Sequence, residues 1–214
     1  MKATRPHVFL MAFFATQTVV LALAEGANAQ NETPTSVLKK VNGEVDRLLR
    51  KKVTPGSAAE KKVKDEIRAL AATLLDYEEL SRQALKRHWG TLSKAQQAEF
   101  VRSFRELIER NYVKQLRTGI DYGVTYKGEK VNGDRAEVRT IVRAKRKGRM
   151  ADTVVDYKMI RTSNGWRVWD IVTDEDEYSS LVVNYRSEFN KLWDKEGFEG
   201  IMKKIRKKLA ENEE

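Results

Sequence analysis

The sequence has 214 residues, no cysteine, and 41 basic against 31 acidic side chains, a formal net charge of +10. That length can bury the core of one domain, which without cysteine must hold without disulfides and cannot be tethered through a lipidated cysteine. The basic balance points to an anionic partner (a membrane surface, an acidic protein or nucleic acid) unless it serves only solubility.

In chain order, residues 1–29 read as a cleaved signal peptide. Lys2 and Arg5 open it, an apolar run from Val8 to Leu23 follows, and Ala27-Asn28-Ala29 supplies the small-residue cleavage pattern. The run contains Thr16, Gln17 and Thr18 and is shorter than the roughly 20 apolar residues that a membrane anchor needs. Residues 30–214 remain as a single domain.

Helical spacing then dominates. Val37, Val41, Val45 and Leu48 make a first amphipathic helix, ended by Thr54-Pro55-Gly56. Ser57 with Glu60, Asp76 with Glu79, and Ser93 with Gln96 are capping-box pairs that open three more helices. The third runs to His88 and Trp89, and the fourth carries Phe100, Phe104, Leu107, Tyr112 and Leu116.

From Ile120 to Thr173 the period changes to two. Tyr122, Val124 and Tyr126 share one face of a first strand. Ala136, Val138, Thr140, Val142 and Ala144 share one face of a second, and Ala151, Thr153, Val155, Tyr157 and Met159 one face of a third. Trp166 to Val172 is the fourth. Asn132-Gly133 and Asn164-Gly165 are expected as hairpin turns, and Lys145 to Arg149 as a basic one. Two helices follow, separated at Gly197. The expected fold is α+β: a curved four-stranded antiparallel meander, charged on one face, with helices before and after it packed around an apolar pocket.

The search for chemistry is largely negative. Past residue 29, His88 is the only histidine, so neither a zinc set nor a nucleophile–base pair is completed. Phosphate-cradling glycine motifs are missing. The acidic run from Asp174 to Glu177 lacks calcium-loop spacing. Two basic clusters, Arg143–Arg149 and Lys203–Lys208, have no interleaved aromatics, so nucleic acid is not an expected partner. No catalytic residue, metal or cofactor is expected.

Several stretches, taken in order, resemble the MlaC family of periplasmic phospholipid-binding proteins, also called toluene-tolerance auxiliary proteins. They are Asp76 to Trp89 (DYEELSRQALKRHW), Phe100 to Tyr112 (FVRSFRELIERNY), Val155-Asp156-Tyr157, Gly165 to Asp170 (GWRVWD) and Leu181 to Phe189 (LVVNYRSEF). The resemblance spans about Val37 to Leu209. It implies a monomeric periplasmic carrier that shuttles phospholipid, as cargo, between an outer-membrane lipoprotein complex and an inner-membrane ABC transporter, with transient membrane contact. It also implies a pocket between sheet and helices for the acyl chains. At one place the chain departs from the family: Thr173 to Ser180 is longer and acidic, and it lacks the usual glycine.

A diacyl lipid has on the order of 30 chain carbons, each worth roughly 0.8 kcal/mol when removed from water, so a carrier must enclose them. The expected lining is Tyr112, Leu116, Tyr122, Val124, Val138, Val142, Val155, Tyr157 and Trp166. The plain alternative is that these residues fill a closed core. Two other function classes remain open: a small isomerase- or dehydratase-like pocket enzyme, with Asp170 as its one candidate base, and a ligand-free adaptor.

Overall fold

The structure is a computed structural model that describes residues 32–113, 122–146, 149–174 and 179–211. The signal-peptide reading, Leu116, and residues 175–178 of the Thr173–Ser180 segment fall outside these residues, as does the tip of the Lys145–Arg149 turn.

Among the described residues four helices precede the sheet: α1 (Pro34–Leu49), α2 (Ala58–Leu74), α3 (Tyr77–Leu85) and α4 (Lys94–Val113), with a 3₁₀ segment at Lys86–Thr91 after α3. Their starts follow from side-chain caps. The Thr33 hydroxyl accepts from the Ser36 amide, Ser57 from Glu60, Asp76 from Glu79, and Ser93 from Gln96. Each satisfies an amide that the first turn leaves unpaired. The Ser93–Gln96 box is reciprocal, since Gln96 Oε1 accepts from the Ser93 amide at 3.0 Å. The Asp76 box is not. Its backbone N–H goes to the Val168 carbonyl on the sheet, and Glu79 turns to Arg82, Gln83 and Arg135 instead. The third helix therefore ends at Leu85 rather than at Trp89, where Lys86 takes a positive φ of 34° and the chain tightens.

The sheet has five strands in the order β1-β2-β3-β4-β5, all neighbours antiparallel: Tyr122–Asn132, Arg135–Arg146, Arg149–Thr162, Gly165–Thr173 and Ser179–Ser180. The expected four-stranded count missed β5, which has only two residues and no apolar alternation to betray it. Both readable hairpin turns sit one residue from their expected place. Asn132 still pairs with Arg135, so the loop is Gly133-Asp134; Thr162 pairs with Gly165, so the other loop is Ser163-Asn164. Gly133, at φ 60°, opens its turn as a type II′ hairpin does, with glycine first rather than second.

A single helical run, α5 (Leu181–Ala210), follows, broken at Gly197 by φ 62° and ψ −153°, a conformation essentially restricted to glycine. The two expected terminal helices are its two arms. On the first arm Tyr185 and Phe189 meet Phe100 and Phe104 of α4 in a cluster of tilted and edge-on rings, with centroids 4.7 to 5.6 Å apart. These contacts fasten the helical layer to itself.

The layers meet in a defined way. α1 lies along β1 and β2, while α2, α3 and α5 lie against β4. Among the described residues no helix runs in close backbone contact along β3. The outer edge of β4 is covered at one end by β5 and at Val168 by the Leu75–Asp76 junction. β1 forms the other edge, with a bulge between Tyr126 and Gly128.

Candidate functional site

The period-two faces expected from the sequence form one wall. Val138, Thr140 and Val142 of β2 stand directly opposite Tyr157, Val155 and Thr153 of β3. Tyr122 and Val124 of β1 pair with Ala144 and Val142, and Trp166 lies at the start of β4. Of the nine expected lining residues, the structure brings together Tyr122, Val124, Val138, Val142, Val155, Tyr157 and Trp166 in one apolar cluster. Tyr112 lies in the last turn of α4 with its side chain outside the described part, and Leu116 lies outside the described residues.

This wall is sealed. Val138, Val142, Val155 and Tyr157 have 0% exposure, so no water-sized space touches them. Val124 is half-buried, at the β1 side. The inward positions from Ala136 to Ala144 on β2 and from Ala151 to Met159 on β3 hold no carboxylate, histidine, lysine or arginine. Their polar members are threonines and one tyrosine, and the Thr140 hydroxyl donates to the Val155 carbonyl at 3.1 Å. Burial drives the Tyr157 hydroxyl well above its ordinary pKa, so it stays neutral.

Polar groups concentrate where α1 crosses β1. Asn42 Nδ2 donates to the Tyr126 hydroxyl at 2.6 Å, and that hydroxyl donates onward to the Leu38 carbonyl at 3.4 Å. Lys39 stands over the Tyr126 ring, 5.3 Å from its centroid. One turn along α1, Tyr122 lies within the fields of Asp46 and Arg50. Burial raises its hydroxyl pKa, the Asp46 charge adds to the rise, and Arg50 opposes it. Among the described residues, Asn42 Oδ1 and the Tyr122 hydroxyl are both buried without a hydrogen-bond partner, an arrangement that costs about 1–3 kcal/mol per group. Sequence reasoning listed Tyr122 only as apolar lining and omitted Asn42 and Tyr126. The available signal was the amide of Asn42 interrupting the buried stripe of Leu38, Val45, Leu48 and Leu49.

The other candidates for chemistry have structural occupations. Asp170 accepts from the amides of Ile171 and Val182, at 2.9 and 3.0 Å, and from the Ser180 hydroxyl at 2.7 Å, tying β4 to the start of α5. Its pKa is raised by burial, with these donors opposing the rise. His88 stacks on Trp193 at 4.2 Å and takes the Arg87 Nε–H at 2.9 Å. Burial and the Arg87 charge lower its pKa and favour the neutral ring. Glu109 receives the Tyr77 hydroxyl and Arg105. Among the described residues no group of three metal-ligating side chains converges, and no helix is long and apolar enough to cross a membrane.

A family model described as MlaC protein matches residues 39–207, nearly the whole described fold. The chain belongs to the MlaC family. Among solved structures, it is similar to a phospholipid-binding protein from Ralstonia solanacearum, solved in complex with a phospholipid at 1.53 Å resolution. That match has a TM-score of 0.57 and 22% identity, and it covers 72% of this chain and 83% of that one. At that identity the likeness establishes a shared fold. No curated protein matches the chain.

Proposed function

We propose that this MlaC-family chain is a phospholipid carrier whose acyl chains lie against the β2–β3 wall. The observation that carries the reading is the wall itself. It is a broad inward face, uncharged from Ala136 to Ala144 and from Ala151 to Met159, buried in one apolar cluster with residues of the helices. Family membership and the phospholipid held by a protein of the same fold support it. The lining then comprises Tyr122, Val124, Val138, Val142, Val155, Tyr157 and Trp166; Tyr112 and Leu116, the other two expected from the sequence, belong to the same proposal. Because the wall is sealed, the cover must part from it for chains to enter. The lipid leaves a bilayer as apolar as the wall, so the two environments balance and transfer can run either way.

In this reading residues 1–29 are removed on export. The protein then works in the periplasm as a monomer, passing lipid between an outer-membrane lipoprotein complex and an inner-membrane ABC transporter. Enzyme chemistry is disfavoured because Asp170, His88 and Glu109 are committed to structural hydrogen bonds away from the wall.

Native mass spectrometry with lipid extraction, on protein purified from a bacterial periplasm without detergent, tests the carrier reading. The expected result is a mass increment of one diacyl phospholipid; a folded protein of bare chain mass contradicts it. Val124→Trp places a ring at the half-buried margin of the wall, where folding tolerates bulk better than at fully buried Val142. Its expected effect is loss of most co-purified lipid with an unchanged circular dichroism spectrum.

A further inference from the structure

The seam between α1 and β1 contains more polar machinery than a wall for hydrocarbon needs. Asn42, 6% exposed, is held by Tyr126 through its amide nitrogen, and Tyr126 spends its own proton on the Leu38 carbonyl. That chain of bonds fixes the amide orientation and leaves Asn42 Oδ1 as a free acceptor. Tyr122, also 6% exposed, has a hydroxyl with nothing to donate to. Tyr126, which holds Asn42, also lies within electrostatic reach of the Tyr122 hydroxyl, so both groups border the same seam between α1 and β1. Solvent is close by: Lys39 and Gly43 are exposed on the same helix, and Val41 and Tyr126 are half-buried.

We infer that this seam is a head-group subsite, in which Tyr122 donates to a phosphate or ester oxygen and Asn42 Oδ1 accepts from a donor at the end of the head group. The inference rests on the phospholipid-carrier reading and adds a chemical preference to it. Ethanolamine and glycerol head groups carry N–H or O–H donors for Asn42. Choline has none, and its methyl groups would keep the buried oxygen unpaired. Orphaned buried polar atoms are uncommon in native folds, and a ligand that supplies both a donor and an acceptor resolves this pair together.

The test uses the full-length mature protein, stripped of lipid and exchanged against vesicles of equal parts phosphatidylethanolamine, phosphatidylglycerol and phosphatidylcholine, with the bound lipid then quantified. The wild type is expected to take each of the first two over the choline lipid by about tenfold, the ratio that one retained hydrogen bond to a charged or strongly polar donor supports. Asn42→Leu is expected to bring that ratio close to unity. Tyr122→Phe is expected to reduce uptake of all three alike, because every one of them carries the oxygens it serves. Tyr122→Phe removes an unpaired polar atom, so its lipid-free form should melt no lower than the wild type, an outcome that separates recognition from stability, whereas Asn42→Leu also gives up the bond to Tyr126 and is expected to melt lower. Should Asn42→Leu fail to fold, Tyr122→Phe still decides the point, since undiminished uptake by it overturns the subsite. Lipid uptake without head-group preference overturns this inference alone. A wild type that takes up no lipid overturns the carrier reading beneath it.

Discussion

Asp170 shows how one carboxylate joins two elements. It sits in β4, and its oxygens reach the amide of Val182 in the first turn of α5 and the hydroxyl of Ser180, the residue that caps that helix. Asp170→Ala leaves the Val182 amide and the Ser180 hydroxyl buried without partners, so a loss of about 2–4 kcal/mol is expected in urea unfolding. Lipid content per folded molecule should not change; a variant of normal stability that has lost its activity toward a small substrate would instead favour the enzyme reading. Asp170 stood out in the sequence as the one candidate base, and its contacts turn that carboxylate to structural use. Asn42 was harder to read. A lone amide on an apolar stripe has no pattern of its own, and its meaning depends on Tyr126, 84 residues away, lying beneath it.

At the scale of elements, the outer face of the sheet is organised by cross-strand ion pairs that follow the register: Arg143 with Asp152, Arg139 with Asp156, and Lys158 with Glu137. They are not equal. Arg143 and Asp152 are both largely exposed, whereas Asp156 is 5% exposed and gripped by both nitrogens of Arg139 at 2.6 and 2.7 Å. Arg143→Ala is therefore expected to leave stability almost unchanged, and Arg139→Ala to cost about 2–3 kcal/mol because it strands a buried carboxylate. Chemical denaturation of the two variants side by side checks the order. Alternation made these faces legible in the sequence, since a strand's period of two is strict. Turn registry was less legible. Asn-Gly marks a hairpin, but whether glycine stands first or second in the loop depends on which cross-strand pair closes it, and that pairing is not local. Gly197 was read correctly as an interruption, although the helical backbone resumes at once beyond it and the two arms form one element.

Across the whole molecule, α1 stands apart from the other helices. It packs on α2 and the β1–β2 side of the sheet, whereas α4 and α5 are joined by edge-on aromatic rings, α3 packs on both, and α5 is anchored on β4. If chains enter beneath α1, its amides should exchange hydrogen faster in lipid-free protein than those of α4 and the first arm of α5, and slow markedly on loading. Equal exchange in all three helices would place the opening elsewhere. Net charge is a weaker guide at this scale. In the terminal basic run Lys203, Arg206, Lys207 and Lys208 each meet a nearby glutamate, so part of the charge conspicuous in the sequence is neutralised locally.

The unequal edges of the sheet also bear on self-association. With β4 covered at Val168 by Leu75–Asp76 and at Val172–Thr173 by the two-residue β5, β1 is the one long open edge among the described residues. A sheet with a single open side has a valence of one. Two molecules could join edge to edge across β1, but the pair would then offer no further site, so growth by strand addition stops at two. Exposed Lys127 and Lys130, together with the bulge at Tyr126/Gly128, make even that first step unfavourable. A protein rich in long strands thus carries, in its connectivity, a chain terminator against fibre formation.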